Sequence, residues 1–344
     1  MRRQKLDAFI SSSLPTTQYL CGYHGSNGLL IVTHSAVYFL TDFRYQEIVQ
    51  TAVNADQKII AQGSLSKAAA EKKIFSSVKK IGFEKDRLTI AEFETLQKNL
   101  SRKKLIAVSG IVEDLRAVKD EYEIVTVKHA FDISDKVFQT IIGIIKPGLT
   151  ELEISAEISY LHKKYGAQND AFDTIVVSGE RGSLPHGTAT SKKICSGEFV
   201  TLDFGCVVDG YHSDMTRTIC LGKPSSEMKK VYNIVLDAQQ KASDAVRSGV
   251  ASKKIDLTAR KYIHTKGYGK YFGHSLGHGV GLEIHELPRV APKSTEKLSA
   301  GNVITIEPGI YIPNQFGVRI EDAVVVREQG SEVLTSSPKE LIMI

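Results

Sequence analysis

The 344-residue sequence contains no tryptophan and has few cysteines. Its four cysteines form neither a CxxC pair nor the spacing of a zinc finger: they are Cys21, Cys195, Cys206 and Cys220. This spacing argues against a disulfide-stapled secreted fold and against a structural zinc site. Three of the four lie beside apolar segments, so we predict reduced, mostly buried thiols in a cytosolic protein.

Long apolar runs and blocks of basic charge are also missing. No segment approaches the ~18 apolar residues of a membrane-spanning helix, and the N-terminal MRRQKLDAFI lacks the apolar stretch of a secretory signal. We therefore expect a cytoplasmic protein with no membrane partner. The net charge of +5 is spread over 44 basic and 39 acidic residues. Because phosphate binding requires clustered lysine and arginine, no nucleic acid is expected as a partner.

The length and patterning of the chain predict two domains. A chain of 344 residues exceeds one ordinary core. Strand and helix patterns alternate at the start of the chain, which predicts a small α/β domain over residues 1–115. Its strands are expected at 19–20, 28–32, 37–40, 58–61 and 80–83. A charged linker is predicted at 116–122 and a second domain at 123–344.

An apparent β-hairpin in the second domain carries two aspartates, Asp203 and Asp214. Asp203 lies near the end of an apolar strand. A buried carboxylate is normally ion-paired, hydrogen-bonded or bound to a metal, because an isolated charge is unfavourable in a low-dielectric interior. For this hairpin alone, an ion pair such as one with Arg217 is the simpler explanation.

The same pattern recurs about a hundred residues later, in the stretch Gly301–Val326. GNVITIE aligns with GEFVTLD, so Glu307 corresponds to Asp203, and Glu321 follows on a return strand as Asp214 does. The recurrence indicates a duplicated ββ unit. Four carboxylates converging on one place would repel one another, and a multivalent cation explains how they could coexist.

The helices of the second domain follow the same duplication. Amphipathic periodicity predicts two helices before each hairpin, at 123–145 and 151–165 and then at 225–248 and 253–266. Thr150 is a candidate N-cap of the second helix. This order predicts an α+β domain in which helices cover one face of a curved antiparallel sheet.

Histidines cluster between the two hairpins. The stretch Phe272–Glu286 contains His274, His278 and His285 among four glycines. The glycines argue against a helix and predict an extended or looped backbone. Three histidines near two carboxylate hairpins are candidates for site residues. A fourth candidate, His186, lies in a glycine-flanked loop before Asp203.

Together these motifs resemble those of a known enzyme family. The set SGxxGxxPH, LDFGxxxxGYxSDxTRT, GHSLGHGVGLEIHE, TIEPG and VRIED is similar to the pita-bread metallopeptidases, which include methionine aminopeptidase, aminopeptidase P and prolidase. The resemblance covers Glu123 to the C-terminus. The N-terminal segments YLCGYHGSNGLLIVT and YFLTDFRY also resemble the creatinase-like domain that aminopeptidase P and prolidase carry. The resemblance of the two regions implies an α+β pita-bread domain of duplicated units, preceded by a creatinase-like α/β domain.

The resemblance also implies a metal site. The implied ligands are one imidazole and four carboxylates: Asp203, Asp214, His278, Glu307 and Glu321. Asp214 and Glu321 would bridge two divalent ions. Because oxygen atoms dominate this ligand set, we expect manganese, with cobalt or zinc as alternatives.

Further roles follow from the same resemblance. Glu307 is the implied proton acceptor, and His186 and His285 are the groups implied to stabilise the oxyanion and protonate the leaving nitrogen. Candidates for the proline pocket or for a substrate carboxylate are Phe172, Arg289 and Tyr311. For these three, ordinary packing or a surface role is an equal alternative.

The activity implied is that of a proline-specific exopeptidase, which hydrolyses the Xaa-Pro bond at the N-terminus of a peptide. An aminopeptidase acting on longer peptides is favoured as the broader activity. The alternative is prolidase, an Xaa-Pro dipeptidase, toward which Arg289 points as an anchor for a terminal carboxylate. A creatinase-like hydrolase without metal and a non-catalytic peptide-binding scaffold are remote alternatives, because such relatives have lost ligands that are intact here. A homodimer is expected from the resemblance alone.

Overall fold

The computed structural model describes all residues, 1–344, and the chain forms two compact units, Met1–Arg116 and Ala117–Ile344. The division into residues 1–115, a linker at 116–122 and residues 123–344 stays a prediction. The longest helix of the second unit begins at Glu121, inside the predicted linker. No helix has the length and apolar character needed to cross a bilayer. All four cysteines are free thiols, and only Cys195 is exposed.

The first unit is built on one mixed sheet. Its strands are β1 (Ala8–Ser11), β2 (Leu29–Thr33), β3 (Val37–Thr41), β4 (Gln57–Ile60), β5 (Lys80–Glu84) and β6 (Lys104–Val108). Its helices are α1 (Leu14–Cys21), α2 (Gln46–Ala52), α3 (Leu65–Glu71), α4 (Ile90–Asn99) and α5 (Glu113–Arg116). The strand order is β4-β3-β2-β1-β5-β6, with β1, β5 and β6 parallel to one another and β2 antiparallel to its neighbours.

One predicted strand of this unit is wrong. Residues 19–20 belong to α1, because Pro15 occupies the first turn, where its fixed φ favours a helix. Gly22 ends α1 in the left-handed conformation, with φ of 77°. The other four strands lie within one residue of the predicted ranges.

The second unit repeats one arrangement twice. Its helices are α6 (Glu121–Ile141), α7 (Glu151–Lys164), α8 (Ser226–Asp244) and α9 (Ser252–Thr265). The strands of its first half are β7 (Asn169–Asp170), β8 (Ile175–Ser178), β9 (Glu198–Phe204), β10 (Cys206–Val208), β11 (Tyr211–His212) and β12 (Met215–Leu221). Those of its second half are β13 (Gly277–Gly279), β14 (Glu286–Val290), β15 (Val303–Ile306), β16 (Gly309–Ile312), β17 (Phe316–Arg319), β18 (Asp322–Val326) and β19 (Ser331–Val333).

Antiparallel pairing organises both halves of the second unit. The first half forms the sheet β12-β9-β8, and the second half forms the sheet β14-β13-β15-β18-β19. Residues of α6 and α7 pack on the first sheet, and residues of α8 and α9 pack on the second. The helices begin where their sequences supply caps, and Thr150 forms the predicted N-cap as part of a capping box with Glu153. The α+β class with a preceding α/β unit is thus confirmed.

Gly277 in β13 shows how closely the strands approach beside the histidine cluster. A β-carbon at Gly277 would lie 2.0 Å from the carbonyl oxygen of Thr305, which is far inside van der Waals contact. We expect Gly277→Ala to lower the free energy of unfolding by roughly 2–4 kcal/mol, because β13 must move away from β15. Urea denaturation followed by circular dichroism measures the change.

Gly273 provides the matched control on the same segment. A β-carbon there meets no atom within 4 Å, so Gly273→Ala is expected to change stability by less than ~0.5 kcal/mol. Equal stability of the two variants would contradict the close approach of β13 and β15.

Candidate metal centre

The two hairpins bring their carboxylates together where the halves of the second unit meet. The N–H of Glu321 donates to the carbonyl oxygen of Thr216 at 3.1 Å, and the N–H of Glu307 donates to that of Leu276 at 2.8 Å. Asp214 immediately precedes β12, just as Glu321 immediately precedes β18. The duplication read from the sequence therefore places equivalent carboxylates at equivalent strand ends.

Three of the implied ligands form a compact group. Ligand atoms of Asp214, His278 and Glu321 all lie within 4.8 Å of one another. Nε2 of His278 lies 3.5 Å from Oδ2 of Asp214 and 3.4 Å from Oε1 of Glu307, which joins the group through this imidazole. Asp203 lies close enough for its charge to raise the pKa of Glu321. All five predicted ligands thus surround one place.

The orientation of His278 leaves a lone pair facing the carboxylates. Its Nδ1 lies 3.1 Å from the carbonyl oxygen of Gly279, to which it donates. Burial, reinforced by His285, lowers the pKa of His278 to about 4, so the ring is neutral near neutral pH. Nε2 then carries no proton, and an unprotonated nitrogen cannot hydrogen-bond to an ionised carboxylate.

The carboxyl groups are mutually destabilised. Burial raises the pKa of Asp214 and Glu307 well above the ordinary range, and the charge of Glu321 raises both further. Burial and then Asp203 raise the pKa of Glu321 to about 8. Two buried carboxylate oxygens, Oδ1 of Asp203 and Oε1 of Glu321, have no hydrogen-bond partner. A cation among these groups would offset both the repulsion and the missing partners.

Hydroxyl groups orient two of the carboxylates. Thr216 Oγ1 donates to Glu321 Oε2 at 2.6 Å. Thr305 Oγ1 donates to Glu307 Oε1 at 3.2 Å and accepts from the backbone N–H of His278 at 3.1 Å. These bonds orient both carboxylates, and in Glu321 they leave Oε1 without a partner.

A buried arginine, Arg319, braces Asp203 from the other side. Its Nη2 donates to Asp203 Oδ2 at 2.6 Å, and its Nε donates to Thr216 Oγ1 at 3.0 Å. Its Nη1 donates to the hydroxyl of Tyr311 at 2.9 Å, and Nε2 of His274 lies 3.0 Å from that hydroxyl. One chain of contacts therefore holds Asp203, Arg319, Tyr311 and His274 in fixed relation.

The ion pair considered for Arg217 does not involve either aspartate of the hairpin. Nη2 of Arg217 lies 2.7 Å from Oδ1 of Asp322, and both side chains are fully buried. Strand alternation turns Arg217 to the face opposite Thr216. The ion pair with Arg217 that was considered for Asp203 and Asp214 is therefore wrong. Asp203 pairs with Arg319 instead.

The predicted catalytic histidines lie on the open side of the cluster. The ring of His285 meets the ring of His278 edge to face, with centroids 4.2 Å apart. Partial burial of the ring lowers the pKa of His285; the neighbouring His186 and Arg289 lower it further, and Asp203 opposes them. His186, His285 and Arg289 are all exposed and lie near one another.

The remaining predicted substrate residues lie in different surroundings. Tyr311 is buried, with its hydroxyl held by Arg319 and His274, so it reaches the site through that network. It also borders an open groove of about 580 Å³ with Pro185 and Lys270. Phe172 is half-buried in the segment between β7 and β8. The structure gives neither Phe172 nor Arg289 a contact with the carboxylates.

Sequence reasoning missed Arg319, Thr216 and Thr305. A usable signal existed for each, because residues two apart on a strand share a face. Arg319 stands two residues before Glu321, Thr216 two residues after Asp214, and Thr305 two residues before Glu307. Polar side chains at that spacing in apolar strands were candidates for holding the carboxylates.

Comparison with known proteins matches both units. Residues 126–328 match the model of metallopeptidase family M24, and residues 1–118 match that of the creatinase/prolidase N-terminal domain. An Xaa-Pro dipeptidase of Pyrococcus horikoshii is 39% identical over 344 residues, covering 99% of this chain and 96% of that protein. The solved structure of an Xaa-Pro dipeptidase from Bacillus anthracis superposes with a TM-score of 0.97 at 41% identity, covering 100% of this chain and 96% of that one. That of an X-Pro aminopeptidase from Thermotoga maritima gives 0.94 at 36% identity, covering 100% and 99%.

Proposed function

The chain belongs to metallopeptidase family M24, and on this premise we propose that it is an Xaa-Pro dipeptidase, which hydrolyses dipeptides whose second residue is proline. As a member of the family it is a metallopeptidase that acts on peptides and binds divalent metal. The observation that carries the proposal is the buried group of Asp214, His278 and Glu321 in a chain that matches an Xaa-Pro dipeptidase over 99% of its length.

The residues of the cluster fit a divalent metal centre. They offer unprotonated Nε2 of His278 and two partnerless carboxylate oxygens, at Asp203 and Glu321. The proposed ligands are those implied by the resemblance: Asp203, Asp214, His278, Glu307 and Glu321. We include a pair of ions in the proposal, with manganese favoured by the excess of oxygen ligands. When bound, such ions polarise a carbonyl and make a water acidic enough to attack it near neutral pH.

The chain's own residues supply the proton transfers. Glu307, held by the hydroxyl of Thr305, is the proposed acceptor of the proton that the attacking water loses. His285 and His186 stand on the open side of the cluster, where a substrate carbonyl and leaving nitrogen would lie. They are proposed to donate hydrogen bonds to the developing oxyanion and to deliver a proton to the leaving nitrogen.

The leaving nitrogen of an Xaa-Pro bond sets the chemical problem. It belongs to a tertiary amide and carries no N–H, and the ring fixes its φ. Peptidases that grip an extended backbone through its N–H groups therefore bind it poorly. Phe172 and Tyr311 are proposed to border the ring, and Arg289 to pair with the terminal carboxylate of a dipeptide.

The choice of a dipeptidase revises the expectation from sequence. The sequence favoured an aminopeptidase, and that prediction is not confirmed. The relatives named Xaa-Pro dipeptidase support the alternative, a dipeptidase, better. An aminopeptidase remains the second candidate on one observation, the X-Pro aminopeptidase of Thermotoga maritima with its TM-score of 0.94. The non-catalytic and metal-free alternatives find no support in these comparisons. A homodimer stays a prediction.

Substrate length tests the proposal. With Ala-Pro and Ala-Pro-Ala at equal concentration and added Mn²⁺, we expect kcat/KM for hydrolysis of the Ala–Pro bond to be at least about tenfold higher for the dipeptide than for the tripeptide. The reason is that Arg289 is proposed to pair with a carboxylate on proline itself, which only the dipeptide carries. Liquid chromatography of the products measures both rates. Faster cleavage of the tripeptide would move the assignment to the aminopeptidase.

A variant of the proposed anchor sharpens this test. Arg289→Met should raise KM for Ala-Pro and leave kcat/KM for the amide Ala-Pro-NH₂ within about threefold. An equal loss of kcat/KM for both substrates would mean that Arg289 does not bind the substrate carboxylate.

A further inference from the structure

One fully buried carboxylate of the second unit, Glu151, lies outside the metal centre and takes no part in the proposed proton transfers. It is the first residue of α7, and the preceding residue, Thr150, caps that helix. A negative charge in the first turn of a helix is favourable, because it faces the positive end of the helix dipole. The groups that donate hydrogen bonds to this carboxylate come from a single loop.

That loop comprises residues 178–190 and carries His186. At its start, the backbone N–H and the hydroxyl of Ser178 donate to Oε1 of Glu151 at 2.8 and 3.0 Å. At its end, the backbone N–H and the hydroxyl of Thr190 donate to Oε2 of Glu151 at 3.1 and 2.8 Å. One carboxylate therefore ties the two ends of the loop together.

Arg181 adds a connection inside the loop. Its Nε donates to Oε2 of Glu151 at 3.0 Å, and its Nη2 donates to the carbonyl oxygen of Thr188 at 2.6 Å. A guanidinium group can bridge two acceptors in this way because it presents several donors in one rigid plane. Arg181 precedes His186 and Thr188 follows it, so the bridge spans the segment that carries the histidine.

The part of the loop before His186 has two further attachments. Nη1 of Arg319 donates to the carbonyl oxygen of Pro185 at 3.1 Å. Gly182 lies close to Gly317, since a β-carbon on Gly182 would approach the backbone nitrogen of Gly317 to 3.1 Å. These attachments do not involve the buried carboxylate, so we expect its loss to loosen the loop without detaching it.

We propose that Glu151 is a positioning residue for the proposed peptidase reaction, which holds the loop at both ends and thereby keeps His186 on the open side of the metal centre. This inference rests on the proposed function, because the placement of His186 affects turnover only if its ring acts on the substrate. Glu151 does not belong to the group that can hold a metal, and it acts through His186 alone.

Hydrogen exchange of the loop tests the anchor without a peptidase assay. In Glu151→Gln one carboxylate oxygen becomes an NH₂ group, which turns a donor toward the donors of Ser178 or Thr190. By mass spectrometry of the full chain, we expect the amides of residues 178–190 to exchange at least about tenfold faster than in the parent, while those of β15 and β18 stay unchanged. Unchanged exchange in the loop would overturn the proposal.

A double-mutant cycle tests whether the anchor acts through His186. In the parent, Glu151→Gln should lower kcat for Ala-Pro by about tenfold, because a misplaced group loses much of its effect, and should leave the metal content unchanged. In His186→Ala the same substitution should lower kcat by less than about twofold, since the group that it positions is absent.

The outcomes of the cycle separate this inference from the proposed function. Equal losses of kcat in the two backgrounds would overturn the positioning role, because general damage to the fold would add to the loss of His186. A parent chain that hydrolyses no Xaa-Pro peptide would overturn the proposed function instead, and hydrogen exchange would still decide whether Glu151 holds the loop.

Thr190→Val is the milder variant if Glu151→Gln fails to fold. It keeps the backbone N–H and removes the hydroxyl, which donates to Glu151 and accepts from the N–H of Lys192 at 3.2 Å. Thr188→Val is the matched control, because Thr188 is exposed and bonds within the loop through its backbone carbonyl. Thr190→Val should speed exchange over 178–190 and lower kcat by about threefold, and Thr188→Val should change neither. Identical results for the two variants would contradict the proposal.

Discussion

Asp214→Asn is expected to abolish peptidase activity and metal binding together. Asp214 is buried within 3.5 Å of the imidazole nitrogen of His278 and shares its centre with Glu321. The substitution keeps the size of the side chain, removes its negative charge and replaces one carboxylate oxygen with an NH₂ group, which donates hydrogen bonds and cannot bind a cation. If the metal supplies several kcal/mol of transition-state stabilisation, its loss should lower kcat/KM by about 10³-fold or more.

Metal analysis and kinetics on the same sample measure this effect. The variant should remain folded in the presence of chelator, and indeed gain stability relative to the metal-free parent, because one of several buried like charges is gone. Asp132→Asn, on the exposed face of α6, is the control and should keep metal and activity. Activity within tenfold of the parent with bound metal retained would reduce Asp214 to a structural residue.

His285→Ala is expected to separate turnover from metal binding. The ring of His285 contacts the ring of His278 at 4.2 Å between centroids, yet it is exposed and lies outside the group that can hold a metal. A group that assists proton transfer and stabilises an oxyanion typically contributes 10²–10⁴-fold. We therefore expect kcat to fall by about 10²–10³-fold while the metal content stays unchanged.

Steady-state kinetics and metal analysis distinguish the possible roles of this histidine. His129→Ala is the control: it removes an exposed histidine of α6 and should leave both kcat and the metal content unchanged. Loss of metal in His285→Ala would make His285 a ligand or a support for His278. An unchanged kcat would remove it from the chemistry.

The carboxylates were predictable because the sequence repeats them. The alignment of GEFVTLD with GNVITIE gave Asp203 and Glu307, and the return strands gave Asp214 and Glu321. That repetition reflects equivalent positions in two hairpins, a relation that strand patterning preserves. The choice of His278 among three neighbouring histidines rested on family resemblance. Its physical reason, the unprotonated Nε2 facing two carboxylates, appears only in the structure.

The spacing on a strand marked the supporting residues as candidates, but it could not show which carboxylate Arg319 and Thr216 hold, because those contacts join the two halves. Arg319 reaches Asp203 over 116 positions of sequence, and Thr216 reaches Glu321 over 105. Strand patterns show which residues share a face and say nothing of which strands meet at a seam. The same limit applied to α1, where the short apolar pair at 19–20 suggested a strand and the proline at the first turn determined a helix.

A buried hydrogen bond of the first unit, from Ser11 to Glu84, illustrates a different limit. Ser11 and Glu84 end two strands that are 73 positions apart, and neither residue stood out in the sequence. Their proximity follows from the parallel pairing of β1 with β5. Sheet order, which composition and periodicity leave open, was needed to place this hydroxyl beside this carboxylate.

Metal-dependent release of proline from Ala-Pro by the purified full chain tests the central claim most directly. The chain is assayed as purified, after removal of metal by chelator, and after return of Mn²⁺, with bound metal counted at each step. We expect chelation to abolish hydrolysis and Mn²⁺ to restore it together with at least one bound ion per chain, approaching about two. Fewer than about one bound transition-metal ion after manganese loading, with no proline released, would contradict the assignment of this cluster as the metal centre of an Xaa-Pro peptidase.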